Sequence, residues 1–549
     1  MIRNFHISMV LCLSICGMVV LCTLAGCALE PEKVKTQADE EVYSMIDKKW
    51  DSAFGVKSNY RISDTEPSPD DIKMDKTVPA SGILTVADAV ALATAHNRNY
   101  HTEKEAIYLM ALDLRLIRHL YVPNLFALGS IGATWDGDGE TVEGQANIGF
   151  QQLLATGGMI STQVALGWVD ILSGDFRSGL TSVLTAAIQV PLLRGSGRAV
   201  ALEELTQAER NLLYQIRTFN RFRKTFVVDV ISQYYSLLEL HNVMVNAEAN
   251  YRMLSTLYER MATLNEAGKV PLHGLQQAHQ DRLDALDQYV LAKSEYEEML
   301  DLFKITLGLP AATSIKLDQN ELTALVAKGV PKLDFSEEDA IDTALQTRLD
   351  LANVSDMVLD AERKVVVAAD GLRTQLDLVG VASPVISRRR GFGAVAGQVR
   401  AAEDTYALSA HLDLPLDRMA EKVAYRKALI TLIQQRRTHE EATDQVVIGV
   451  RQAYRKLKEA RERYLVQEHA MSLAQQRVDN TFLLLQYSSP GNRRATVRDV
   501  LDAQKDLLRA QNDATDALVD YNIALLEFHR DAGVLQIKPD GMWQTAAAD

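Results

Sequence analysis

The hydrophobic pattern changes its period along the chain, and the change occurs twice in the same order. After Thr85, a candidate N-cap, apolar residues follow a helical period that predicts one helix to about Leu120. Between residues 126 and 193 the period becomes two, which predicts strands. From Arg198 to about Leu264 the chain contains neither Pro nor Gly, so a single very long helix is expected there.

The chain contains an internal duplication that explains this order. Residues 84–100 match residues 335–351 at an offset of 251, with Thr85 on Ser336 and Asp88 on Asp339. Duplication of a whole unit of helices and strands predicts an architecture of two similar repeats, and this inference does not depend on any single motif. The divisions are a first repeat at 84–334 (strands about 126–193, helical hairpin about 198–308), a second at 335–534 (strands about 376–416, hairpin about 418–533) and a tail at 535–549.

The predicted strands carry apolar residues on one face and small or polar residues on the other. In 159–168, Ile160 and Val164 alternate with Ser161 and Gln163. Strands of about ten residues with this alternation suit a barrel that faces lipid outside and water inside. A soluble sandwich with a wet face gives the same alternation and stays open as an alternative. The stretch 145–168 is an extra hairpin, beyond or alongside the shared strands.

The long helices are expected to pair as coiled-coil hairpins. Val500, Leu507, Ala514 and Tyr521 repeat every seven residues, the spacing of helices packed side by side. Turn signals reverse the chain at Gly268 and at Gly491.

The N-terminus carries a processing signal. A nearly continuous apolar run ends in Leu24-Ala25-Gly26-Cys27, which resembles the lipobox of bacterial lipoproteins. On that resemblance residues 1–26 are a signal peptide, Cys27 takes the lipid, and 27–83 is an extended tether at the outer membrane lipid. A retained transmembrane helix is the alternative reading.

Charge and composition exclude several classes of function. The formal net charge of −14 argues against nucleic acid as a partner. All four cysteines lie within the first 27 residues, and the eleven histidines show no metal-ligand spacing. We therefore expect no cofactor, no metal and no enzyme activity.

The combined motifs resemble the TolC-like outer membrane efflux protein family, in its lipoprotein form. They are the doubled LTxxDAxxxA start, the strands that end in Pro191 and Pro415, and the D-V-L-D-A-Q turn at 499–504. The resemblance implies a mainly α fold with a membrane β-barrel portion, in which long hairpins form a trimeric α-barrel tunnel. It implies a homotrimer in which each protomer gives four strands to a twelve-stranded barrel. A periplasmic adaptor protein and an inner-membrane transporter are the further partners it implies.

The same resemblance places a gate at the second hairpin. Asp499 and Asp502 correspond to aspartates that line the closed periplasmic aperture, and Tyr487 with Arg493 or Arg494 corresponds to the latch. In the first repeat Gly274 stands where the family often has Asp. The alternative for the two aspartates is an exposed pair that the dipole at a helix start favours.

The expected function is the passive exit duct of a tripartite efflux system for small molecules, in the outer membrane of a Gram-negative bacterium. Export of a protein or polysaccharide is an alternative in the same class. A lipid-anchored periplasmic helical scaffold without a pore is the alternative from another class.

Overall fold

The computed structural model describes residues 30–51, 60–62, 82–136, 139–171, 177–268, 270–331, 335–390, 400–414, 416–486, 496–537 and 543–545. Cys27 and its signal sequence lie outside these residues. The helices are α1 (Pro31–Lys49), α2 (Val86–His96), α3 (Arg98–His119), α4 (Arg198–Ala201), α5 (Glu203–Glu266), α6 (Leu272–Thr306), α7 (Asn320–Lys328), α8 (Glu337–Thr347), α9 (Leu349–Asp370), α10 (Met419–Gln486) and α11 (Val497–Asp531). The strands are β1 (Ile83–Leu84), β2 (Asn124–Asp136), β3 (Gly139–Leu153), β4 (Met159–Ile171), β5 (Arg177–Pro191), β6 (Lys316–Leu317), β7 (Gln375–Arg390), β8 (Arg400–Asp413), β9 (Leu535–Ile537) and β10 (Trp543–Thr545).

The element order repeats as the sequence offset indicates. Helices α2 and α8 each have 11 residues, α3 and α9 each have 22, and α6 and α11 each have 35. Thr85 and Ser336, paired by the offset, are both N-caps whose side chains accept from the backbone N–H of Asp88 and Asp339. The long helices α5 and α10 occupy most of the ranges predicted for them, and Leu202 separates α5 from the short helix α4.

Two local predictions were wrong. The first helix is interrupted at Asn97, which ends α2 and caps α3 by accepting from the Tyr100 N–H. The tether is helical from Pro31 to Lys49 rather than extended. Its apolar side packs against α3 and α5, and an aromatic group around Tyr43 holds it there.

Six strands form one antiparallel sheet in the order β2-β3-β4-β5-β7-β8. Both repeats contribute to it, because β5 of the first pairs with β7 of the second over Ser178–Pro191. The hairpin expected at 145–168 is β3 and β4, and it lies inside the sheet. Below the sheet, Arg418 donates to the Leu372 carbonyl and the Gly195 N–H donates to Asp370, so the strand ends are tied to the helices.

The helices form two antiparallel pairs, α5 with α6 and α10 with α11. The predicted heptad line is confirmed, because Val500, Leu507, Ala514 and Tyr521 are all buried. Among the helices of the described ranges, none is long and apolar enough to cross a membrane.

Candidate aperture at the ends of the helical hairpins

Helix α11 begins with a capping box. Thr496 is its N-cap, and the Thr496 Oγ1 accepts from the Asp499 N–H at 3.3 Å. In return the Asp499 carboxylate accepts from the Thr496 N–H at 2.7 Å and from its hydroxyl at 2.8 Å. Reciprocal bonds of this kind satisfy N–H groups that a helix start leaves unpaired. Asp499 thus has a structural role whatever else it does.

Asp502 has a different environment one turn further along α11. Its side chain is 55% exposed, and the Arg498 guanidinium approaches it only to 4.0 Å. Both aspartates are exposed, while Val500, Leu501 and Ala503 between and beside them are buried. The i,i+3 spacing therefore puts two carboxylates on the outer face of one helix end, as the sequence indicated.

The remaining residues of the predicted gate are Tyr487, Gly491, Arg493 and Arg494, and they lie outside the described residues. The latch and the second turn stay predictions. The first turn is described: Gly268 follows α5 with a φ of 69°, and the Asn265 amide donates to the Val270 carbonyl at 2.7 Å. Gly274 lies in the first turn of α6, whose N-cap Pro271 makes no side-chain capping bond.

A charged pair joins the two hairpins near their ends, and the sequence reading missed it. Lys505 Nζ of α11 lies 2.8 Å from Asp281 Oδ1 of α6, and the Asp281 side chain is only 5% exposed. The Gln277 amide also donates to the Asp281 carboxylate, at 3.4 Å. The sequence contains a signal for this buried carboxylate. Asp281 lies three residues after Ala278 and four before Ala285, so it falls on the helix face that the heptad pattern predicts to be buried.

Polar contacts continue along α11 away from the ends. The Asn246 amide of α5 donates to Asn512 at 2.8 Å, and the Asn242 amide donates to Thr515 at 3.1 Å. We call this line of contacts, together with Lys505–Asp281, the polar seam. It joins the first hairpin to the second beside buried apolar contacts, such as those of Leu254 and Ala285 with Leu501.

A carboxyl group at the far end of the polar seam has a strongly shifted pKa. Burial, followed by the negative charges of Asp516 and Asp520, raises the pKa of Glu239 to about 7, while the Arg463 guanidinium acts in the opposite direction. Arg463 pairs with both aspartates and ties α10 to α11 at this level.

No family model and no curated protein matches this sequence. Solved structures do match over most of the chain. The open state of the MtrE outer membrane channel of Neisseria gonorrhoeae is 13% identical, covers 82% of this chain and 88% of its own, and has a TM-score of 0.60. The Campylobacter jejuni CmeC outer membrane channel is 14% identical, with coverage of 82% and 85% and a TM-score of 0.58. The outer membrane protein VceC of Vibrio cholerae is 14% identical, with coverage of 82% and 96% and a TM-score of 0.57.

This chain has the fold of TolC-like outer membrane channels. The mainly α fold with a strand portion that the sequence motifs implied is thereby confirmed. The sheet of this chain has six strands, rather than the four that the resemblance implied for each protomer. At this level of identity the likeness concerns the fold, and the roles of individual side chains rest on the contacts described above.

Proposed function

We propose that the protein is a passive exit duct of the outer membrane, a homotrimer whose strands cross the membrane and whose helices form a tunnel. At ~1.5 Å per residue the 64 residues of α5 extend about 96 Å, a length suited to crossing a periplasm. An inner-membrane transporter would supply energy, and a periplasmic adaptor would bind the hairpin ends. Lipidation of Cys27 would anchor each copy.

The observation that carries the proposal is the pair of exposed carboxylates at the start of α11, at the end of a helical hairpin. A threefold axis beside α11 makes Asp499 and Asp502 two stacked rings of three carboxylates. Rings of carboxylates in a constriction attract cations and repel anions. Small-molecule efflux is the function that we infer for an aperture ringed by carboxylates.

Conductance in planar bilayers tests the gate. Because Asp499 also caps α11, Asp502→Asn is the cleaner change: it removes three charges from the ring and leaves the cap intact. We expect a clear loss of cation over anion selectivity in Asp502→Asn, and a larger loss with higher conductance in Asp499→Ala combined with Asp502→Ala.

The matched control is Thr496→Ala, which weakens the cap by about 1 kcal/mol and keeps both carboxylates. Selectivity that falls in Thr496→Ala but not in Asp502→Asn would contradict the ring. A monomer without channel activity would instead support the periplasmic scaffold.

A further inference from the structure

The β3–β4 hairpin is a full member of the sheet. It pairs residue by residue on both sides, from Asn124–Gln151 to Asp136–Gly139 with β2 and from Met159–Gln189 to Ile171–Arg177 with β5. Neither ladder is interrupted by a bulge. The hairpin thus separates β2 from β5 across their whole length.

The apolar face of the sheet passes through the hairpin without a break. Ile148, Val164 and Leu184 lie directly opposite one another on β3, β4 and β5, and their side chains are 60%, 37% and 41% exposed. The same face carries Leu125 on β2 and Leu408 on β8, 85% and 77% exposed. Paired positions point to one side of a sheet, so all six strands present one apolar surface. Asn147 and Gln163 belong to the opposite, polar face.

The turn between β3 and β4 contacts the segment that connects β5 to the helices. The Gly197 N–H donates to the Thr156 carbonyl at 3.2 Å, and the Leu153 N–H donates to the Leu120 carbonyl at 3.2 Å. Gly157 has a φ of 90°, and a Cβ there would collide with the Gly195 carbonyl. The hairpin is therefore built into the junction of strands and helices.

Each outer strand of the sheet is suited to pair with the other outer strand of a neighbouring copy. Within the described residues, β2 and β8 each have a strand partner on one side only, and neither contains Pro. With six antiparallel strands, β2 and β8 run in opposite directions, so β8 of one copy meets β2 of the next as an antiparallel pair. Long unprotected edges are liabilities that closure into a barrel removes.

We propose that three copies close an eighteen-stranded barrel instead of the twelve-stranded barrel that the sequence resemblance implied. This inference rests on the trimeric duct proposed above and deepens it. At ~4.8 Å between strands and a tilt of about 40°, eighteen strands give a backbone diameter of about 36 Å, and twelve give about 24 Å. Barrels of 16–18 strands leave a water-filled channel.

A barrel of this width does not select cargo by size. Its lumen admits hydrated solutes too large for a twelve-stranded lumen, so size selection falls to the aperture at the hairpin ends. The polar face of the hairpin, with Asn147 and Gln163, lines the added part of the lumen.

Electron cryomicroscopy of the full-length, detergent-solubilised protein tests the inference. The comparison variant deletes Gly139–Ile171, which joins the end of β2 to the start of β5 through residues 137–138 and 172–176. We expect eighteen strands and a diameter of about 36 Å in the unmodified trimer, and twelve strands with about 24 Å in the deletion variant. In bilayers, neutral polymers that enter the unmodified barrel from the outer side should be excluded from the variant.

The outcomes separate the two proposals. A trimeric channel with twelve strands and β3–β4 outside the wall would overturn the eighteen-stranded barrel and leave the duct intact. An assembly that is not a trimeric channel would overturn the duct and the barrel together. If the deletion variant does not fold, the strand count of the unmodified trimer still decides.

Discussion

The two helical hairpins share one plan along their length and differ at their ends. Helices α6 and α11 correspond residue by residue at an offset of 225, since Gly274 meets Asp499 and Gly308 meets Gly533. The same positions are buried in both: Ala278 with Ala503, Ala285 with Ala510, and Phe303 with Phe528. Apolar packing was therefore kept in both copies.

The polar positions near the ends have diverged. Helix α11 starts with the Thr496–Asp499 capping box, and α6 has Pro271 and Gly274 at the same two positions. Asp281 and Asp506 also correspond, but Asp281 is buried against Lys505 of the other hairpin. The two copies therefore differ in role. The first supplies Asp281, which is buried in the contact between the hairpins, and the second supplies the exposed carboxylates of Asp499 and Asp502.

The joint can be broken at Lys505. Lys505→Met leaves the buried Asp281 carboxylate without its half-exposed cation, and loss of a partner by a buried acceptor costs about 1–3 kcal/mol. We expect a marked fall in the unfolding temperature of the detergent-solubilised protein, together with higher conductance because α11 is released from α6.

The other copy provides a matched control. Arg477 pairs with Asp506, but their side chains are 57% and 44% exposed, so Arg477→Met should cost at most about 1 kcal/mol. Adding Asp281→Asn to Lys505→Met should restore most of the lost stability. Equal losses of unfolding temperature in Lys505→Met and Arg477→Met would show that Asp281 and Asp506 contribute equally to stability.

The glycines that close the two copies allow a second comparison. Gly308 and Gly533 both have positive φ, 72° and 80°, where a side chain costs about 1–2 kcal/mol. Their neighbours differ: a Cβ on Gly308 would strike the backbone carbonyl of His96, and one on Gly533 would strike the side-chain hydroxyl of Thr347. Backbone at the α2–α3 break cannot rotate away, so Gly308→Ala should destabilise more than Gly533→Ala in chemical unfolding.

Removal of the obstructing hydroxyl sharpens this test. Thr347→Ala should recover part of the loss in Gly533→Ala, while His96→Ala should recover little in Gly308→Ala, because the obstacle there is backbone. Identical losses and identical recoveries would mean that φ strain alone sets the cost.

Sequence patterns predicted the parts of this fold that depend on periodicity. The alternation in 159–168, the heptad line through Val500 and the cap at Thr85 all have a local physical cause, and the structure has them in place. The break at Asn97 was missed because the apolar period continues across it; Asn97 is held from a distance, its amide donating to the Thr306 carbonyl.

The polar seam could not be predicted from local sequence patterns either, because its contacts also join residues that are distant in sequence. Asp281 and Lys505 are 224 residues apart in sequence, and neither helix shows by itself which face meets the other. The offset of 225 aligns Asp281 with Asp506 but gives no sign that the first side chain is buried and the second half exposed. The pairing order of β3 and β4 likewise required the folded sheet.

The smallest expected effect concerns Glu239, where α5 of the first copy meets the charges of the second. Because its pKa is raised to about 7 in the folded protein, folded Glu239 holds its proton more tightly than the unfolded chain does. Its contribution to stability is complete below pH ~4.5 and is lost as the pH rises through about 7. Glu239→Gln should remove this part of the pH dependence of the unfolding temperature, and Glu239→Asp should keep it. A pH profile that is unchanged in Glu239→Gln would place the dependence on Asp520, whose pKa burial and Asp516 also raise, and would assign it to the second copy alone.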